Sequence, residues 1–155
     1  MTFPGRPMLL VHAGDLIAAL PLTNIVETMR PLRLETLSEM PVFVQGLSII
    51  RGQSTPIVDL GLLLQGEVPG LGRRWVVLRV GERRVALAVE AVLGIQALEP
   101  AALRDRPPLL SRTHPDLIQG LGALDQGLLL VLEPAHILPR ERWPALKATG
   151  EGHAL

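Results

Sequence analysis

The side chains best suited to chemistry are present in this sequence, but their spacing does not assemble a catalyst. Ser111-Arg112-Thr113-His114-Pro115-Asp116 puts a hydroxyl, an imidazole and a carboxylate close together in the chain. A nucleophilic triad needs those groups to converge in space through an ordered run of hydrogen bonds, which adjacency in sequence does not supply. Turn and loop chemistry accounts for them better, with Asp116 placed to cap a short turn. His12, His114, His136 and His153 have no metal-ligand spacing. There is no cysteine, so disulfides, thiolate nucleophiles and thiolate metal sites are excluded. Gly70-Leu71-Gly72 lacks the flanking strand and helix of a phosphate-binding loop. Neither a cofactor nor a metal is expected, and the chain reads as non-catalytic.

Charge points away from nucleic acid. Lys and Arg number 15, Asp and Glu also 15, and aromatic residues make up only 3% of the chain. Binding to nucleic acid needs a basic face interleaved with aromatic platforms. The basic pairs Arg73-Arg74 and Arg83-Arg84 read instead as solvated charges at hairpin ends. Hydrophobic residues make up 48% of the chain, with no Tyr, so the core must be built from Leu, Val, Ile and Ala. A near-neutral protein this apolar tends to associate. No apolar run approaches the ~20 residues of a membrane helix. The N-terminus shows no signal-peptide pattern.

The elements that must position any functional residue are strands. Short apolar runs are bounded by Gly, Pro or charge pairs, which is the strand signature. Met8 to Val11 and Leu16 to Leu22 flank Gly14-Asp15; Gly46 to Ile50 and Pro56 to Leu60 flank Gly52-Gln53. Trp75 to Val80 and Val85 to Val89 flank Gly81-Glu82; Leu121 to Leu124 and Leu128 to Leu132 flank Asp125-Gln126-Gly127. Each pair reads as a hairpin. Asn24 to Met29 and Val92 to Leu98 are further extended runs. Asp59 is placed to cap a helix over Leu60 to Leu64, and Glu133-Pro134 to start another short one.

The pattern occurs twice. Val44-Gln45-Gly46-Leu47 matches Ile118-Gln119-Gly120-Leu121 at an offset of 74 (46 to 120). The same offset aligns Ile50 with Leu124, Val58 with Leu132, Asp59 with Glu133, and Leu63-Leu64 with Ile137-Leu138. Upstream, Gly14 matches Gly81 and Leu20 matches Leu87 at an offset of 67, the difference falling in the Pro-rich stretch from Pro100 to Pro115. The expected fold is all-β: two small SH3-like five-stranded β-barrel subdomains packed together, with short helices. The expected subdomains are 8–65 and 73–139, joined by a Gly-rich linker, with a C-terminal arm over 140–155. Each half is marginal alone, so packing them together buries surface that neither could cover by itself. Barrel closure would also remove exposed strand edges.

Pro41-Val42-Phe43-Val44-Gln45-Gly46-Leu47-Ser48-Ile49-Ile50-Arg51-Gly52-Gln53-Ser54-Thr55-Pro56-Ile57-Val58-Asp59-Leu60 resembles the signature of the CheW family. The shared pattern is Pro, a short apolar turn, Gly, a strand ending in Arg-Gly, then Pro, two apolar residues, Asp and Leu. Leu16 to Arg30, with Ile25-Val26-Glu27, resembles the strand pair that precedes it. The resemblance covers roughly residues 8 to 138, and it makes the whole chain, 1–155, one CheW-like domain. It implies two SH3-like barrels with a groove between them, no enzymatic activity and a cytoplasmic location. It also implies two partners: the cytoplasmic tip of a chemoreceptor and the CheW-like regulatory domain of a CheA-like histidine kinase. No membrane insertion and no nucleic acid are implied. One departure is Ile49, where the family usually carries Asn. With the atypical second half, it motivates an alternative: a divergent CheW-fold module of an auxiliary signalling system that has lost one of these partners.

Five residues follow as interface candidates: Ile25, Glu27, Gly46, Arg51 and Gly52. Arg51 has five donors for a carboxylate of a partner or of Glu27, and the resemblance implies the Glu27 pairing. Ile25 and Glu27 share one face if the strand alternates with period 2. Gly46 permits a positive φ or a close backbone approach, and Gly52 makes the turn after Arg51.

Overall fold

The computed structural model describes residues 5–65, 72–98, 116–124 and 127–138. Ten strands run in the order β1 (Arg6–Ala13), β2 (Leu16–Pro21), β3 (Ile25–Met29), β4 (Val44–Ile50), β5 (Gln53–Asp59), β6 (Arg74–Val80), β7 (Arg83–Val89), β8 (Ala91–Leu98), β9 (Ile118–Leu124) and β10 (Gly127–Leu132). A helix, α1 (Leu60–Gln65), follows β5. It begins where expected, because Asp59 Oδ1 accepts a hydrogen bond from the Leu62 N–H at 3.0 Å. Glu133 does the same for the short turn Pro134–His136, accepting from the Ala135 N–H at 3.3 Å.

The strands form two five-stranded sheets, β8-β1-β2-β10-β9 and β3-β6-β7-β5-β4. The fold is all-β and SH3-like, as expected. The division at 8–65 and 73–139, however, does not describe the sheets. Each sheet takes its first hairpin from one half of the chain and its other three strands from the other half. The joints are parallel: β10 lies on β2 with Val131 opposite Ala19, and β5 lies on β7 with Ile57 opposite Ala86. The two halves are therefore interlocked by backbone ladders as well as by side-chain packing. A sequence repeat cannot reveal this exchange. The hairpin carries the same residues whether it folds onto its own half or the other.

The repeat is reproduced down to its irregularities. β4 against β5 bulges at Gln45, between Val44↔Val58 and Gly46↔Ile57. β9 against β10 bulges at Gln119, between Ile118↔Leu132 and Gly120↔Val131. β3 against β6 skips Val26, and β8 against β1 skips Leu93. Among the described residues neither ladder closes on itself. β3 and β4 are the edges of one sheet, β8 and β9 of the other. The β4 edge is partly covered by the preceding segment, where Glu35 and Leu47 exchange backbone hydrogen bonds at 2.8 Å and the Ser48 hydroxyl donates to the Arg33 carbonyl at 2.8 Å.

Three apolar layers result. The largest lies between the sheets and includes Val11, Leu20, Val58, Leu60, Val76, Leu87, Leu130 and Leu132, all fully buried. Met8, Leu10, Ile17, Leu129 and Val131 fill the inside of one barrel. Ile50, Ile57, Trp75, Val77 and Ala86 fill the other. The central layer is possible because these strands are apolar on both faces.

Candidate functional site

Arg51 does not end a strand; it forms the turn. β4 stops at Ile50 and β5 starts at Gln53, so Arg51-Gly52 is a two-residue hairpin loop, one residue earlier than the sequence suggested. Both residues have positive φ, 52° and 78°. That is the primed turn geometry that matches strand twist. Gly52 adopts it freely, and a Cβ there would meet nothing within 4 Å. Arg51 is an unfavourable residue for it, since a left-handed conformation crowds Cβ against the backbone. Arg51 is therefore held in a sparsely populated backbone conformation that the surrounding hairpin must impose.

The Arg51 guanidinium is fixed by Glu27. Nε donates to Oε2 and Nη2 to Oε1, each at 3.1 Å, a bidentate fork. Glu27 lies on β3 and Arg51 leaves β4, so the pair bridges the two edge strands of its sheet. Side chains clasp the barrel seam where no ladder does. The Glu27 side chain is 24% exposed and that of Arg51 71%, so the cation faces solvent while the carboxylate sits beneath it. The Arg51 hydrogen bond lowers the Glu27 pKa against a smaller desolvation effect that raises it; the charges of Arg51 and then Arg84 lower it further. Arg51 is pushed up in return, first by the same hydrogen bond. Arg84, on β7 with β6 between it and β3, adds to the field at Glu27, a contribution that sequence spacing gave no means to find.

The bulge at Val26 changes how the β3 residues are shared out. Ile25 stands opposite Leu78 and packs on the central core; Glu27 stands opposite Val77, on the barrel-interior face. The expected common face of Ile25 and Glu27 is therefore split, because one extra residue reverses the alternation. The apolar residue that this strand exposes is the bulged Val26, 37% exposed. On β4, two residues before Arg51, Ile49 is 53% exposed. Leu47 bonds outward to Glu35, so the alternation of an antiparallel ladder also turns the Ile49 backbone groups away from β5. Gly46 is buried, and a Cβ on it would collide with the Glu35 carbonyl oxygen. It admits the covering segment 31–40, so its local backbone role is to let that segment approach β4.

Among the described residues no three His, Asp or Glu side chains could hold a metal ion together. Ser111, His114 and His153 lie outside the described residues, as do the Pro100 to Pro115 stretch, the Asp125-Gln126 turn, most of the inter-half linker and the 140–155 arm. His12 and His136 lie on β1 and in the short turn after β10, far apart in the chain and in different elements. Arg83-Arg84 flanks the β6–β7 turn as expected, whereas Arg73-Arg74 opens β6 at the far end of that hairpin.

The family model described as CheW-like domain matches residues 7–142. The protein named Chemotaxis protein CheW from Klebsiella aerogenes is 22% identical over 151 residues, covering 96% of this chain and 91% of that one. Protein FrzA of Myxococcus xanthus is 30% identical over 108 residues, covering 68% and 67%. The crystal structure of the scaffolding protein TtCheW from Thermoanaerobacter tengcongensis superposes with a TM-score of 0.72 at 16% identity. It covers 83% of this chain and 89% of that one.

Proposed function

The chain belongs to the CheW-like domain family, and from that premise we propose that it is a non-catalytic chemosensory adaptor. It couples the cytoplasmic tip of a chemoreceptor to the regulatory domain of a CheA-like histidine kinase. The observation that carries this reading is the clasp of Glu27 and Arg51. An arginine is kept in a conformation that favours glycine, its guanidinium is oriented by a bidentate carboxylate, and its outer surface stays open to solvent. Such a group is preorganised for a partner's surface, and a rigid donor fork loses little entropy on binding. Exposed Val26 and Ile49, next to the clasp residues in the chain, supply apolar contact. An apolar centre with a polar, charged rim is how protein interfaces are built. Ile25, Gly46 and Gly52 serve by holding β3, the covering segment and the turn in place.

The adaptor acts in the cytoplasm, where both partners present the relevant domains. No helix among the described residues is long and apolar enough to cross a membrane. A second reading is a module that has lost one partner. It is favoured by Ile49: an apolar residue at this exposed edge position alters what a partner meets and leaves the core unchanged.

The test is co-precipitation of the purified chain with the cognate kinase regulatory domain and, separately, with a receptor tip fragment. Both partners are expected to bind, and Arg51→Ala with Ile49→Asp is expected to weaken at least one about tenfold or more. Full retention of both by that double variant would overturn the site. Retention of one partner only by the wild-type chain would select the second reading.

A further inference from the structure

The β6–β7 hairpin sets two cations directly against each other. The loop Gly81-Glu82 joins the strands, with Val80 opposite Arg83 and Arg79 opposite Arg84. Residues directly opposite in an antiparallel pair project on the same face. Arg79 follows Val77 at i+2 and Arg84 precedes Ala86 at i−2, so both continue the barrel-interior face on which Glu27 stands opposite Val77. Arg83 falls on the other face. The Arg79 carbonyl accepts from Asn24 Nδ2 at 3.0 Å, so it turns away from β7. In an antiparallel ladder that marks the non-hydrogen-bonded position, where opposing side chains stand closest. Like charges placed so are destabilising. Arg79 Nε donates to the neutral Gly81 carbonyl at 3.1 Å, and Arg84 has no hydrogen bond or ion pair among the described residues. Glu27, on the same face, is already engaged by the Arg51 fork, although it feels the charge of Arg84.

We infer that Arg79 and Arg84 form a carboxylate-receiving pair beside the clasp, which makes this end of the barrel selective for an acidic surface on a partner protein. The inference rests on the adaptor reading above and adds to it the charge that the partner must carry. A carboxylate set between the two guanidinium groups replaces their mutual repulsion with attraction from both sides, and each arginine fork can hold one of its oxygens. The occupant is a protein and not a free anion. Sites for small ligands enclose most of the ligand surface, whereas Arg79 is exposed and Arg84 half-buried. Exposed Val26 and Ile49 lie next to Glu27 and Arg51 in the chain, so the cations form the charged rim of a partly apolar patch. The formal charge of the chain is zero, so the excess of cations is a property of this end and not of the whole molecule. Rim charges act mainly on encounter rate and orientation, and salt screens them.

Binding of the full chain to the kinase regulatory domain and to the receptor tip fragment, measured at low salt and at about 0.3 M salt, tests it. Arg84→Gln is expected to weaken one of the two about fivefold or more at low salt and to flatten the salt dependence, and Arg79→Gln to weaken it about twofold or more. Arg84→Lys keeps the charge and should lose less than Arg84→Gln. Arg6→Gln, at the start of β1 in the other sheet, should bind like the parent. A second measurement needs no variant: titration with a hexaglutamate peptide should shift the Nε resonances of Arg79 and Arg84 more than that of Arg6, and the higher salt should remove the difference. If the parent chain bound neither protein, the adaptor reading would fall and the peptide alone would decide the inference. Parent-like affinity and salt dependence in both Gln variants, or peptide shifts no larger at Arg79 and Arg84 than at Arg6, would each overturn it.

Discussion

The two sheets share a strand order, a parallel joint and both bulges, yet only one carries a clasp among the described residues. Glu27 on β3 corresponds to Gly94 on β8, and the exposed bulge residue Val26 corresponds to Leu93. One seam is bridged by a fixed ion pair; at the equivalent point of the other edge strand there is no side chain at all. The shared features are those that packing and ladder hydrogen bonds require. The differing feature is one that neither requires. What the fold needs is repeated, and the candidate site lies where the repeat is broken.

The equivalence of the cores can be broken most severely at Leu20 and Leu87. They occupy matching places on β2 and β7, both at 0% exposure in the central layer. Each change to Ala is expected to cost about 3 kcal/mol in denaturant unfolding. The two values should agree within about 1 kcal/mol, and a larger gap would mean that the halves are not energetically equivalent. Gly46 and Gly94 should separate the halves next. Gly46→Ala drives a Cβ into the Glu35 carbonyl, whereas Gly94→Ala meets open space but keeps an unfavourable φ of 131°. Losses of about 2 to 3 kcal/mol and about 1 kcal/mol are expected, again by denaturant unfolding.

A smaller contrast concerns the acids that end β5 and follow β10. Asp59 caps α1 from a position 3% exposed, and its Oδ2 is buried with no hydrogen-bond partner among the described residues. Glu133 caps only a three-residue turn and also accepts from Gln119 Nε2 at 2.6 Å. Asp59→Ala should cost about 1 kcal/mol by thermal or chemical unfolding, and Glu133→Ala a few tenths.

The smallest expected effect on stability is at the clasp itself. Arg51→Gly removes the ion pair but also the left-handed strain, so the thermal midpoint should stay within a few degrees of the parent while partner binding falls. In carboxyl-carbon NMR, Glu27 should titrate below an ordinary glutamate, moving up in Arg51→Gly. A depressed folded-state pKa means that the pair's contribution is present above the unfolded value. It is lost as pH falls through the lower folded one. Unfolding a clasp-free Glu27→Gln variant beside the parent should therefore show a difference at neutral pH that vanishes in acid.

Much of this was legible beforehand. The short bounded apolar runs, the turn glycines and the offsets of 74 and 67 carried the all-β class, most strand positions and the cap at Asp59. The motif around Arg51 carried the clasp, through a family resemblance and not through spacing alone. Three things were not legible. Val26 and Leu93 sit in ordinary apolar runs, and a bulge is decided by which partner residue each backbone group reaches. Arg84 acts on Glu27 from β7, with β6 lying between them. Arg73 and Arg74 read as solvated charges at a hairpin end until the start of β6 is brought to one cleft with the end of β3 and the start of β8.

By itself, then, the sequence determined what each segment would be: which residues are apolar on which face, where the chain must turn, and that ten strands come as five repeated. Those properties are local, set by side-chain type and backbone preference over a few residues. The tertiary structure alone decided which hairpin joins which sheet and which charges meet. Strand exchange and charge pairing depend on contacts between segments tens of residues apart, and their free energy is not written in any one of them.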